Sequence, residues 1–508
     1  MSERGDFVHT HNAPGDPWRS SPALRLCLPA CLTVYLALAT TLALVFPLGQ
    51  APDEIAHVQY ALFIAENGRL PDFHADDAGY EAYQAPLYYT LCAAIGKLAM
   101  IGAESGHPQP PAVLSESDAQ ISSRLPRYPT VRSGQHDLAV DALRSSYRLT
   151  VAQRRAWMAM RLFTVLLGGL GIFLGYRIAL LVFPGRQWLA CGVAAIMAAQ
   201  PMYAHICGAV GNDPPATVAV GFVLLMSLLI LREGPTPTRS GLLGLALGIA
   251  MLTKDSANAA LPAAMLALLL SVGRRHDPKP ADTYLTDAAR RVAALDWGLA
   301  FRRLALVLGV ATVVAGWWYA RNILVYGGVT HFPANVEKQI PWEAYVGHPE
   351  MIAQVLSIAL PMAFRNFWAG FAWTNIAVEP WLYWLLLVVS AAALPGLLML
   401  VADARAGRLG WSLLQVRSVW LLILTKVLLG LAVLWYILTI DLGGGSQGRY
   451  LFPVLSVMAL LWLLGVARLL PERTRPALPI AAGVGMLAFA LWCLFASIIP
   501  FYRALGLL

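Results

Sequence analysis

Apolar runs of about 17–25 residues, the length that crosses the hydrocarbon core of a bilayer, recur along most of this 508-residue chain. They lie near 23–47, 161–183, 187–206, 215–232, 240–254, 257–273, 304–321, 380–402, 418–440, 450–470 and 477–499. Runs of that length read as transmembrane helices, so the expected fold is all-α and polytopic, with about eleven spans. Two of the runs, 240–254 and 257–273, are short and meet at Lys254-Asp255 as a tight helical hairpin. With 58% hydrophobic and 13% charged residues, a soluble globular chain is excluded.

Lys and Arg in short loops stay on the cytoplasmic side, which orients the spans. The segment 274–303 carries Arg274, Arg275, Lys279, Arg290, Arg291, Arg302 and Arg303, and the loops with Arg232 and Arg239, with Arg405, Arg408 and Arg417, and with Arg473 and Arg475 alternate with it correctly. This predicts a cytoplasmic N-terminal tail (1–22), a transmembrane domain (23–499), a large first external loop (48–160), a basic cytoplasmic loop (274–303), an external loop (322–379) and a short external C-terminus (500–508). The run Ala85 to Gly102 is long enough to span, but counting it would throw the 274–303 segment outside. It is therefore expected to be a juxtamembrane or re-entrant helix, and 351–372 an external amphipathic one. The first apolar run is too long for a cleavable signal and has no small-residue cleavage site after it, so it should remain as an anchor. The net charge of +8 follows from topology and lipid-surface attraction and calls for no nucleic-acid partner.

The six cysteines fall in apolar runs, away from the paired external spacings of a disulfide scaffold or a metal site. No Walker loop or dinucleotide-binding glycine motif occurs, and the string DEIAH is not the zinc-protease pattern. What remains is a set of polar islands on the predicted external face. Asp53 and Glu54 follow Pro52 at a helix start, with His57 three and four residues on, so one helical face presents carboxylates and an imidazole. Others are Tyr83-Gln84-Ala85-Pro86, Gly211-Asn212-Asp213-Pro214, Lys254-Asp255, Trp317 to Asn322 with Arg321, and Gly443 to Tyr450 with Gln447 and Arg449.

Carboxylates beside Lys254, Arg321 and Arg449 at a membrane surface suit a phosphate-bearing lipid and a hydroxyl-rich acceptor. Arginine grips phosphate oxygens as a fork and lysine as a point charge, while a carboxylate can deprotonate an attacking hydroxyl. The implied reaction is glycosyl transfer. Plainer readings stand beside it: Asp53 and Glu54 as helix-start acids, Asn212-Asp213 as a turn, and the three cations as snorkelling interfacial residues.

The strings APDEIAH, YQAPLYY, GNDPPA, LTKDS, GWWYARN and QGRYLFP, in this order from about residue 30 to 465, resemble the bacterial domain-of-unknown-function family 2142. That family is similar to the GT-C superfamily, which includes protein O-mannosyltransferases and the lipid A aminoarabinose transferase. The resemblance implies an inverting transfer from a polyprenyl-phosphate sugar to a glycan, lipid or protein acceptor of the cell envelope, on the outer face of the bacterial inner membrane. Asp53 matches the essential acidic residue of the first external loop and would be the general base, supported by Glu54. Pro86 matches the Pro-containing amphipathic helix, and Lys254 the lysine that approaches the lipid phosphate, with Arg321 and Arg449 as further donor-binding cations. Asp213 occupies the second external loop, where another acid is frequent, and His57, Tyr83, Gln84, Asn212 and Gln447 would line the site. A divalent metal on Asp53, Glu54 and Asp213 is the one cofactor left open. Tyr83-Gln84-Ala85-Pro86 stands where the mannosyltransferases have His-Pro-Pro, which leaves donor and acceptor identity open. A transporter or flippase of lipid-linked glycans, with charges along a translocation path, and an envelope glycan polymerase or ligase are the alternatives.

Overall fold

The computed structural model describes residues 22–75, 77–117, 120–121, 134–272, 296–329, 340–439 and 446–508. Among them the chain is all-helical, with no strand and one isolated bridge, between Phe371 and Ile376. Eight helices are long and apolar enough to cross a membrane: Leu26–Val45, Val151–Val182, Asp213–Glu233, Trp297–Tyr326, Pro380–Arg405, Leu413–Thr439, Gly448–Leu469 and Glu472–Ala504. A ninth crossing is made if the bent pair Gln187–Ala199 and Pro201–Cys207 counts as one span. The 64° bend falls at Gln200, whose extended backbone (φ −70°, ψ 114°) is what a residue before proline adopts.

Helices therefore occupy all eleven segments that the sequence marks, but length qualifies only eight or nine of them as spans. The remaining two form the hairpin. Pro237–Met251 has 15 residues, about 22 Å of helix against a core of about 30 Å. Lys254, extended at φ −164° and ψ 137°, turns the chain into Asp255–Ala260 and Leu261–Ser271. Gly244 and Gly248 let Pro237–Met251 lie against Trp297–Tyr326, since a Cβ on either would come within 2.5 Å of the Val307 carbonyl oxygen or 2.6 Å of Val314 Cβ. The segment expected to be juxtamembrane is the helix Leu87–Met100, whose 14 residues are likewise too short to span. Its Leu87 N–H donates to the Leu252 carbonyl at 3.0 Å, so it is pinned to the hairpin tip. The predicted N-terminal tail (1–22) lies almost entirely, and the basic loop (274–303) mostly, outside the described residues.

Two of the most enclosed spans are Asp213–Glu233 and Gly448–Leu469. Both begin at the same end of the bundle, and they bring Asp213 and Arg449 to the end where the first span finishes and Glu54–Asn67 starts. Asp213 complements the positive end of its helix; Arg449 at a helix start does not, and needs negative partners.

Candidate active site at one end of the helix bundle

The chain leaves its first span through Gly49 (φ 85°) and reaches Asp53 in the left-handed conformation, φ 61° and ψ −1°. Asp tolerates this region better than most residues, yet it remains uncommon and collects at functional sites. Asp53 occupies the N-cap position of Glu54–Asn67 but its side chain makes no capping bond. It points instead to two partners: Asp53 Oδ1 accepts from the Tyr80 hydroxyl at 2.8 Å, and Oδ2 accepts from Arg449 Nη2 at 2.5 Å. Arg449 continues to Asp213, with Nε 3.5 Å from Oδ2, and Lys254 Nζ donates to the other oxygen of Asp213. The Tyr450 ring lies under both cations, its centroid 5.2 Å from Lys254 Nζ and 5.5 Å from the Arg449 guanidinium.

The result is a row of alternating charge, Asp53–Arg449–Asp213–Lys254. Its most open member is Asp53, with 26% of its side chain exposed against 6% for Arg449 and 5% for Asp213. Burial pushes the Asp53 carboxyl up, but Arg449, His57 and the Tyr80 hydroxyl outweigh it and hold the group below the ordinary aspartate value. Asp53 is thus ionised at neutral pH. His57, stripped of water, falls to about 4 and is neutral; its Nδ1 lies 2.8 Å from the Tyr89 hydroxyl.

Glu54 does something else. The structure turns it away from Asp53 into the protein, where it is 0% exposed and paired with Arg161. Arg161 Nε and Nη2 meet Oε1 and Oε2, each at 2.7 Å. The Trp157 indole N–H and the backbone N–H groups of Val210 and Gly49 also donate to Glu54. This carboxylate has no capacity left for a substrate or a metal, which corrects its expected share in the chemistry. Of the three acids considered for a metal, Glu54 has no oxygen to spare, while Asp53 and Asp213 are paired with Arg449 and Lys254. No group of three or more His, Cys, Asp or Glu side chains among the described residues is placed to hold one.

Arg321 is likewise apart from the row. Its guanidinium donates to the Pro71 carbonyl at 2.8 Å and lies over the Trp318 and Tyr326 rings. Gln84 Nε2 donates to the Tyr83 hydroxyl at 3.2 Å, Asn212 Nδ2 to the Tyr89 hydroxyl at 3.3 Å, and Gln447, next but one before Arg449, keeps a buried Oε1 without a partner. Sequence reasoning passed over Tyr80, Glu81 and Arg161. An arginine inside an apolar run was a readable signal for the last; nothing marked the two loop residues. Burial, and then the charge of Asp53, push the Glu81 carboxyl up to about 8.

Fold and site define a helical membrane protein whose charged, partly open cluster gathers several loops at one end of the bundle. The chain belongs to the DUF2142 family of predicted membrane proteins, whose model matches residues 36–458. Among solved structures it is similar to ArnT from Cupriavidus metallidurans. Against the apo crystal structure the likeness covers 95% of this chain and 77% of that one, at 14% identity and a TM-score of 0.48. Against the form bound to undecaprenyl phosphate the values are 96%, 76%, 15% and 0.43. The archaeal oligosaccharyltransferase AglB from Archaeoglobus fulgidus, in complex with an inhibitory peptide and a dolichol-phosphate, is similar over 96% of this chain and 56% of its own, at 13% identity and a TM-score of 0.41. No curated protein matches the chain.

Proposed function

We propose that this protein is an inverting glycosyltransferase. It moves a sugar from a polyprenyl-phosphate donor to a hydroxyl of a cell-envelope acceptor, at the external face of the bacterial inner membrane. The observation that carries the reading is the position of Asp53: an ionised, partly exposed carboxylate in a left-handed turn, held against Arg449 at the edge of a paired-charge row. Two carboxylates and two cations balance, so the row is stable without a ligand. A phosphate arriving at Arg449 and Lys254 competes with the carboxylates for charge-assisted hydrogen bonds. Once Arg449 turns to the phosphate, Asp53 loses its strongest ionic partner and becomes a better base.

The acceptor oxygen then attacks the anomeric carbon from the side opposite the phosphate. Its proton passes to Asp53, the bond between the anomeric carbon and the phosphate oxygen breaks, and the electron pair leaves with the phosphate. Arg449 and Lys254 stabilise the charge that grows there. A phosphate leaves readily without protonation, so one base is sufficient. Charges gathered at one end of the bundle serve this chemistry better than passage of a glycan through its middle. Reconstituted protein offered a polyprenyl-phosphate sugar and, separately, a nucleotide-sugar decides the question. Transfer from the lipid donor alone is expected; transfer from the nucleotide donor alone would rule the mechanism out, and transfer from neither would favour a transporter.

A further inference from the structure

A third carboxyl, one residue beyond Tyr80, lies buried beside the same site without a visible task. Glu81 is 8% exposed, and its Oε2 is buried without a hydrogen-bond partner. Buried polar atoms in native proteins are almost always paired, so an orphan calls for an explanation. Gln84 donates its backbone N–H to the Glu81 carbonyl at 3.0 Å, and the charges that reach the carboxyl are those of Asp53, Lys254 and Arg449. Its chain neighbour Tyr80 binds Asp53 Oδ1 at 2.8 Å, and Tyr436 meets the ring of Tyr450, which lies under both cations, at 5.6 Å. Glu81 therefore follows directly on the residue that binds the most open member of the charge row, with a buried oxygen to spare.

We propose that Glu81 is a sugar-recognition residue: its unpartnered oxygen takes a hydroxyl of the sugar carried on the lipid phosphate, an assignment that rests on the transferase reading above. The charge count supports the choice of ligand. Asp53 and Asp213 are already balanced by Arg449 and Lys254, so a third negative charge at Glu81 would be uncompensated, and at neutral pH the carboxyl keeps its proton. It then offers one O–H donor together with an acceptor oxygen, the same pair of functions that a sugar hydroxyl presents in return. A neutral carboxyl also leaves both cations to the phosphate and does not repel it, whereas an ionised one would do the reverse. Tyr80, 45% exposed, covers the approach by binding Asp53, and swings aside in the proposed complex.

The test is binding of undecaprenyl phosphate and of its glucosyl, mannosyl and galactosyl forms to the full chain in nanodiscs, for wild type, Glu81→Gln and Glu81→Ala. Wild type is expected to hold at least one sugar-bearing lipid more tightly than the bare phosphate. Glu81→Ala should weaken that lipid by about 3–10-fold, the worth of one net hydrogen bond, and leave undecaprenyl phosphate unchanged. Glu81→Gln, which keeps a donor and an acceptor, should lose less at pH 7. It should also abolish the weakening of sugar-lipid binding that wild type shows between pH 7 and 9. An equal loss for bare and sugar-bearing lipid in Glu81→Ala, no loss at all, or a wild type indifferent to every sugar overturns the assignment. If Glu81→Ala does not fold, an alkaline fall that persists in Glu81→Gln overturns it as well. A wild type that binds neither class of lipid refutes the transferase reading itself.

Discussion

The Glu54–Arg161 and Asp53–Arg449 pairs begin one residue apart in the chain, yet the first is 0% and 1% exposed while the second leaves Asp53 26% exposed. Arg161 spends all of its donors: on both oxygens of Glu54 and on the Ala43, Phe46 and Pro47 carbonyls. Those carbonyls end the first span, and Glu54 in return holds Gly49 and Val210 by their N–H groups. The closed pair thus ties together the two chain segments that carry Asp53 and Asp213. Arg449, by contrast, is divided between two carboxylates, and its Nε lies 3.5 Å from Asp213, beyond good hydrogen-bond length. A saturated ion pair can only hold shape; a divided one can exchange a carboxylate for a phosphate.

The largest effect that would break the contrast is chemical. Asp53→Asn should reduce transfer from a polyprenyl-phosphate sugar by about 10²–10⁴-fold, the usual cost of losing a general base, with thermal unfolding in detergent close to wild type. An inactive Asp53→Asn that is also strongly destabilised would make Asp53 a structural residue like its neighbour. Next comes Arg161→Ala, which strands Glu54 as a buried unpaired charge and should cost about 3–5 kcal/mol of stability. Wild-type unfolding of that variant would sink the idea that this pair holds the shape.

The pH dependence of stability sharpens the comparison further. Glu81, raised from 4.5 to about 8, keeps in the folded state a proton that the unfolded chain releases, so its contribution falls as pH rises through that window. His57, lowered from 6.5 to about 4, acts oppositely: its contribution is lost as pH falls from 6.5 to about 4. The two cancel between about 4.5 and 6.5 and leave a net decline between about 6.5 and 8. Thermal unfolding of Glu81→Gln measured across that range should lack the decline, and an unchanged slope would assign it to other groups. The smallest effect is expected at Arg321. With its guanidinium on Pro71 and over the Trp318 and Tyr326 rings, away from the charge row, Arg321→Ala should change the KM for a lipid donor less than about 3-fold, a cation–π contact being worth little to a ligand it does not touch. A tenfold rise would return Arg321 to the phosphate-binding set.

Much of this architecture was legible in the residue order. Long apolar runs must close their own backbone hydrogen bonds in lipid, so helices stand at each of the eleven segments. The hairpin at Lys254 was readable from run length, and the non-spanning helix after Pro86 from the charge rule, since its run alone was long enough to cross. The number of full-length spans was not, because a run of apolar letters does not show where Gln200 stays extended or where a 15-residue helix stops.

At the site, the sequence by itself determined which residue types reach this end of the bundle: acids after the first span, an acid at 213, a lysine at 254 and an arginine at 449. Each sits at a junction between apolar and polar chain, and that is a local property. Which of two adjacent acids faces the opening was decided only by tertiary structure. A left-handed turn at Asp53 sends its side chain outward to Arg449, 396 residues away along the chain, while Glu54 turns in to Arg161, 107 residues away. Partner choice across such separations depends on the packing of spans whose lipid-facing and protein-facing sides are equally apolar, so composition and periodicity carry little trace of it. Glu81 is the extreme case: an ordinary loop glutamate by sequence, it owes its retained proton to burial first and to the charge of Asp53 second, against the pull of Lys254 and Arg449.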